Sequence, residues 1–142
     1  MAVRARVLET TQFNPKVGPQ PGSYPMGQDT EFARRAAQAG HRSYYVADAV
    51  VGHTIKADTI SEAWAIARAE RLGFGLFAAS ATPVKRNTPL PYGWEIGARY
   101  LFSLATAPLV PLIPSHKQRF WRRWRHSYNK GLLRGYRTFR VA

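Results

Sequence analysis

The sequence predicts an α/β fold: a partial sheet with flanking helices in residues 1–57, then a mainly helical, basic region reaching residue 142. Two observations carry that expectation. Residues 43–46 and 49–52 read as strand segments broken by a turn at Ala47-Asp48, and they follow a helical pattern in which Phe32, Ala33, Ala36 and Ala37 share one face. Residues 115–142 hold nine Lys or Arg and no Asp or Glu, and on a wheel at about 100° per residue they sort into a basic and an aromatic side.

The elements follow in order. Residues 1–7 read as a short strand running into a helical turn, and the proline- and glycine-rich residues 12–27 as a loop. Asp29 opens the first long helix, where Asp29 and Glu31 place carboxylates at the positive end of the dipole, and Gly40 is its C-terminal cap. After the strand pair, residues 58–82 form an amphipathic helix. Thr59 and Glu62 have capping-box spacing, Trp64, Ile66, Ala67 and Leu72 follow, and Gly73 and Gly75 weaken the later turns.

Pro83, Pro89 and Pro91 mark residues 83–99 as a linker to a last region, residues 100–142, made of an apolar segment and a basic amphipathic helix. Residues 100–115 carry no charge and include Leu101, Phe102, Leu104, Leu109, Val110, Leu112 and Ile113. Sixteen residues with three prolines fall short of the about 20 that span a bilayer as a helix, so a re-entrant, interfacial or protein-buried segment is expected. In the helix beyond, Arg119, Arg122, Arg123, His126, Lys130, Arg134 and Arg137 take one side and Trp121, Trp124, Tyr128, Leu132 and Phe139 the other.

Composition bounds the chemistry. With 142 residues the chain suits one domain plus a tail, its core removing roughly two thirds of the unfolded surface from water. Cysteine is absent, which excludes disulfides, thiolate metal sites and thiol nucleophiles. Met1 is followed by Arg4, Arg6, Glu9, Thr10 and Thr11 rather than an apolar run, so no signal peptide is read and a cytoplasmic location is expected. No phosphate-cradling glycine loop, no His-Glu-x-x-His and no serine nucleophile elbow occurs.

Residues 1–57 contain, in order, MAVR, FNPKVGP and YPMGQDTEFARRAAQAGHRSYYVADAVVGH. This order of loop, helix start, strand pair and histidine resembles the C-terminal half of the catalytic domain of inverting family 2 glycosyltransferases with the GT-A fold. The following helix, WAIARAERLG, is similar to those after the catalytic domain in bacterial polysaccharide-type members. The resemblance implies transfer of a sugar from a nucleotide-activated donor to a hydroxyl of a lipid-linked or polysaccharide acceptor. It implies that Asp29 is the general base, that Gln28 stands where the family has a second acid, that Gly27 and Tyr24 belong to the acceptor side, and that His53 completes metal coordination. Two plainer readings stay open: Asp29 as a helix N-terminal carboxylate on orphan backbone amides, and His53 as a strand-end histidine facing solvent.

The family's nucleotide-binding strands and its Asp-x-Asp motif, which holds Mn²⁺ or Mg²⁺ on the diphosphate, have no counterpart among the acids Glu9, Asp29, Glu31, Asp48, Asp58, Glu62, Glu70 and Glu95. The expectation is therefore an acceptor-side half, with Met1 an internal methionine of a longer ancestral chain. Such a half holds no cofactor tightly by itself and binds a nucleotide sugar only where a donor-binding half is supplied. A half sheet also exposes a strand edge, so a second chain or self-association is expected.

The net charge of +13 directs the tail to an anionic surface. Nucleic-acid binding favours aromatic side chains interleaved with basic ones, and here they are segregated. Arg119, Trp121, Arg122, Arg123, Trp124 and Lys130 are accordingly assigned to an anionic membrane surface at its cytoplasmic face, each nearby basic group contributing about 1 kcal/mol. A basic helix packed on its own domain is the second reading, and nucleic acid or another acidic partner the third.

Overall fold

The structure, a computed structural model, describes residues 2–22, 24–79 and 92–139. It corrects the α/β expectation, because the described residues form helices and no β-sheet. The order is α1 (Ala5–Thr10), α2 (Gln28–Gln38), a 3-10 turn (Ala57–Thr59), α3 (Glu62–Ala79), α4 (Tyr92–Ala105), a second 3-10 turn (Ala107–Leu112) and α5 (His116–Thr138).

The two strand segments fail for want of a partner. Their turn forms, with the Ala49 N–H donating to Val46 O at 3.2 Å and the Val50 N–H to Asp48 O at 2.9 Å. Flanking residues stay exposed and without regular structure, since a lone two-stranded ribbon is marginal in water and no further strand among the described residues meets them. The expected strand near the N-terminus is likewise replaced, by α1.

α2 starts at Gln28 and ends as expected. Gly40 has φ +88°, its N–H donates to Ala37 O at 3.0 Å, and the His41 N–H reaches Ala36 O at 3.0 Å, satisfying the last carbonyls. Phe32 and Ala36 are buried, Ala33 partly so, and Ala37 is exposed. Val17 and Pro25 close under α2 from the preceding loop, and Phe13 stacks on Phe32 with centroids 4.3 Å apart. Glu31 is buried in this small core; Arg35 Nη2 lies 3.1 Å from its Oε2 and also donates to Gln12 O at 2.5 Å. That hydrogen bond to Glu31 raises the Arg35 guanidinium above its ordinary value.

α3 is capped by Ser61, whose Oγ accepts from the Trp64 N–H at 3.2 Å, rather than by Thr59, whose hydroxyl donates to Lys56 O at 2.6 Å. The helix continues through Gly73 and Gly75 because both are needed for close approach. α3 and α5 run parallel: Glu62 faces Arg123, Glu70 faces Lys130 and Phe77 faces Tyr136. Each presents small residues at four-residue intervals, Ala65, Ala69 and Gly73 on one, Ser127, Gly131 and Gly135 on the other. A Cβ at Gly73 would lie 2.3 Å from Tyr128 O, and one at Gly131 2.0 Å from Glu70 O, so backbone meets backbone there.

α4 packs antiparallel on α5, with Asn129 Nδ2 donating to Arg99 O at 3.3 Å, Ser103 Oγ 3.0 Å from His126 Nδ1, and Ile96 buried. It begins at Tyr92, inside the stretch read as linker; Pro83, Pro89 and Pro91 lie outside the described residues. Gly97 of α4 differs from the contact glycines, because a Cβ placed there would have nothing within 4 Å. Gly97→Ala is expected to stabilise the chain by about 0.5–1 kcal/mol through helix propensity alone, seen as a higher urea midpoint with an unchanged slope.

Candidate functional site: the loop before α2 and the basic face

The loop carrying Tyr24, Gly27, Gln28 and Asp29 is seated on α3. A Cβ at Gly75 would fall 1.9 Å from Met26 O, so only glycine lets the loop backbone lie against the helix. The Met26 N–H points at Arg71 O at 3.4 Å, and the Arg71 guanidinium sits 5.7 Å from the centre of the Tyr24 ring. From the other side, the Gly18 N–H donates to Pro25 O at 2.8 Å, and the Gln28 side chain folds against Gly18, 2.7 Å from where a Cβ would stand. Gly27 precedes α2 with φ +107°, a left-handed conformation that turns the chain into the helix without strain. Arg34 Nη2 donates to Ala79 O at 2.8 Å and ties α2 to the end of α3. Ser23, between Gly22 and Tyr24 in the loop, lies outside the described residues.

Asp29 therefore stands in the first turn of α2 on a backbone held at several points. It is exposed and has no side-chain hydrogen bond or ion pair among the described residues. The carboxylate is thus available to an incoming group rather than consumed by the helix. His53 is exposed in the segment without regular structure between α2 and the first 3-10 turn. Among the described residues no three His, Asp or Glu come together.

In the tail, the structure divides the six assigned surface residues. Arg119 is engaged with the second 3-10 turn, Nη1 donating to Ile113 O at 2.8 Å and Pro114 O at 3.1 Å. Arg123 lies 3.5 Å from Glu62 and Lys130 3.0 Å from Glu70, exposed pairs worth at most about 1 kcal/mol each. Arg122 is exposed and has no ion pair among the described residues. Most of the aromatic side is occupied internally: Trp124 stacks on Tyr128 at 5.3 Å, Leu132 is buried, and Phe139 lies 5.3 Å from Phe74. Trp121, 49% exposed, is the exception. Exposed apolar surface is found instead on α4 and the second 3-10 turn, at Trp94, Leu101, Phe102, Leu104, Leu109 and Leu112. Among the described residues no helix is long and apolar enough to cross a membrane.

Burial raises the Tyr128 phenol above its ordinary 10.0, and Arg99 pulls it part of the way back. The unfolded chain then loses this proton first, so the contribution to stability is complete below pH 10.0 and is lost as pH rises through the folded value. Tyr128→Phe keeps the stack and removes the ionisation. Its urea midpoint is expected to fall less than that of the unsubstituted chain between pH 9 and 11, roughly the span over which a tyrosine titrates.

Two features escaped sequence reasoning, Arg71 beside the Tyr24 loop and the glycine seats for the loop and for α5. The four-residue spacing of small residues in α3 and α5 was the available signal for the second. Comparison with protein-family models, curated proteins and solved structures returns no match for this chain.

Proposed function

We propose that the chain is the acceptor-side half of an inverting, glycosyltransferase-like enzyme and works with a donor-binding half that supplies the nucleotide-sugar site. One observation carries the reading. Directly after the helix that bears Asp29, Tyr44, Tyr45, Val46, Val50, Val51 and Ile55 all stand exposed outside any helix or sheet, Tyr45 at 94% and Val50 at 88%. Large apolar side chains clustered in the open on one segment mark a surface for a partner chain. Family order and an exposed Asp29 support the same conclusion.

In this reading Asp29 takes the proton of the acceptor hydroxyl as its oxygen bonds to the anomeric carbon from the face opposite the leaving group. The bond from that carbon to the phosphate oxygen breaks, and the nucleotide diphosphate departs with the electron pair. Gly27 and Tyr24 shape the acceptor side; Gln28 cannot take a proton and acts by packing on Gly18. The working place is the cytoplasmic surface of a membrane, contacted by the apolar band of α4 and the second 3-10 turn and by the exposed cations of α5.

The test is hydrolysis and transfer from a panel of uridine and guanosine diphosphate sugars, with and without a separately expressed GT-A donor half that carries the Asp-x-Asp strands. Turnover is expected only with both halves present, and silence in both arms removes the catalytic reading.

A second reading then stands on the same exposed band: a non-catalytic module that binds an anionic membrane or another acidic partner. Flotation with anionic but not neutral vesicles is its expected result. Salt-sensitive retention on nucleic acid without flotation would overturn the membrane assignment.

A further inference from the structure

We propose that the cleft between α4, the second 3-10 turn and the N-terminal half of α5 seats one single-chain lipid with a phosphate head. The cleft holds about 720 Å³, which suits a small molecule rather than a macromolecule. Phe102, Val110 and Pro111 of α4 and the 3-10 turn give it apolar lining, and Arg122, Arg125 and His126 of α5 give it cationic lining.

The cationic side has a simple origin. Arg122, Arg125, His126 and Asn129 follow the i, i+3, i+4, i+7 spacing that makes one stripe on a helix. The lower two members are used in packing: His126 contacts Ser103 and stacks on Tyr100 at 5.5 Å, and Asn129 donates to Arg99 O. Arg122 and Arg125 at the upper end have no ion pair among the described residues.

Neighbouring acids are engaged elsewhere, Glu62 with His116 and Arg123, Glu70 with Lys130, Glu95 with Arg99, and no Asp or Glu lines the cleft. Two guanidinium groups beside an apolar wall are matched by a phosphate on an alkyl chain. The head accepts paired N–H donors, and the tail covers Phe102, which is 64% exposed without it. Leu101, Leu104 and Leu109, exposed on the same elements, let the lipid arrive from a membrane surface. This site stands on its own geometry and does not depend on sugar transfer.

The full chain titrated with dodecyl phosphate below its micelle concentration tests it, read by tryptophan fluorescence because Trp124 lines the cleft. Saturation at one molecule per chain is expected. Arg122→Gln with Arg125→Gln should weaken binding at least tenfold and Phe102→Ala severalfold, while Arg137→Gln leaves it unchanged. All four positions are exposed, so these variants keep the fold. Equal binding of dodecyl maltoside would overturn the anionic head, and equal binding of inorganic phosphate the tail. Unchanged binding by the double variant would overturn the site.

Discussion

Gly131→Val is expected to cost the chain about 3 kcal/mol or more and to leave it largely unfolded at moderate urea. The added Cβ would lie 2.0 Å from Glu70 O and 2.9 Å from Phe74 N, both backbone atoms that no rotamer change can move aside. Parallel α3 and α5 must then separate along their whole contact, which also lifts Gly135 off Phe74 O and Leu132 out of its buried position. Overpacking costs typically about 1–3 kcal/mol. The helix-propensity gain on replacing glycine is at most about 1 kcal/mol and is smaller for valine than for alanine, so it does not offset the clash. Small domains hold about 5–15 kcal/mol in total, which makes this loss visible as a fall in helical signal and urea midpoint. A Gly131→Val midpoint equal to that of the unsubstituted chain would contradict the glycine-seated helix pair.

Asp29→Asn carries the largest expected effect on activity. In the reconstituted enzyme of the proposed function it should lower turnover by about 100- to 10,000-fold, the range supplied by a positioned general base. Stability should barely change, since Asp29 is exposed and makes no side-chain cap. The acceptor concentration for half-maximal rate should also hold, because the amide keeps the shape and loses only the proton-accepting role. Turnover unaltered by Asp29→Asn would remove Asp29 as the base.

Local signals were legible where local physics decides. Gly40 closes α2 because a left-handed residue is needed there, Ala47-Asp48 turns, and the two-sided pattern of α5 describes the side it buries. Tertiary decisions were not. Gly73 and Gly75 read as weak helix formers, yet they, like Gly131 and Gly135, occupy places where a Cβ would strike a neighbouring backbone, and propensity scales do not contain that contact. Val46, Val50 and Val51 read as strand, but β-preference is a statement about neighbours, and no sheet among the described residues supplies them. Aromatic residues opposite a basic face suit either a membrane or a partner helix. For Phe139 the neighbour is Phe74 of α3, while exposed apolar side chains stand on α4 and the second 3-10 turn, where the uncharged run of residues 100–115 offers no polar face to set a period.

In the site, the position of Asp29 at a helix start was legible and Arg71 was not. Its place beside Tyr24 depends on Met26 lying against Gly75, a contact between residues far apart in the chain.

The proposed function requires that the exposed residues 43–55 form a contact surface for a donor-binding half. Amide hydrogen exchange over this segment, with the chain alone and then mixed with a GT-A donor half, tests it most directly. Rapid exchange is expected for the chain alone, and protection within residues 43–55 on mixing, as burial against a donor-binding half requires. Exchange that stays rapid in the mixture would contradict it.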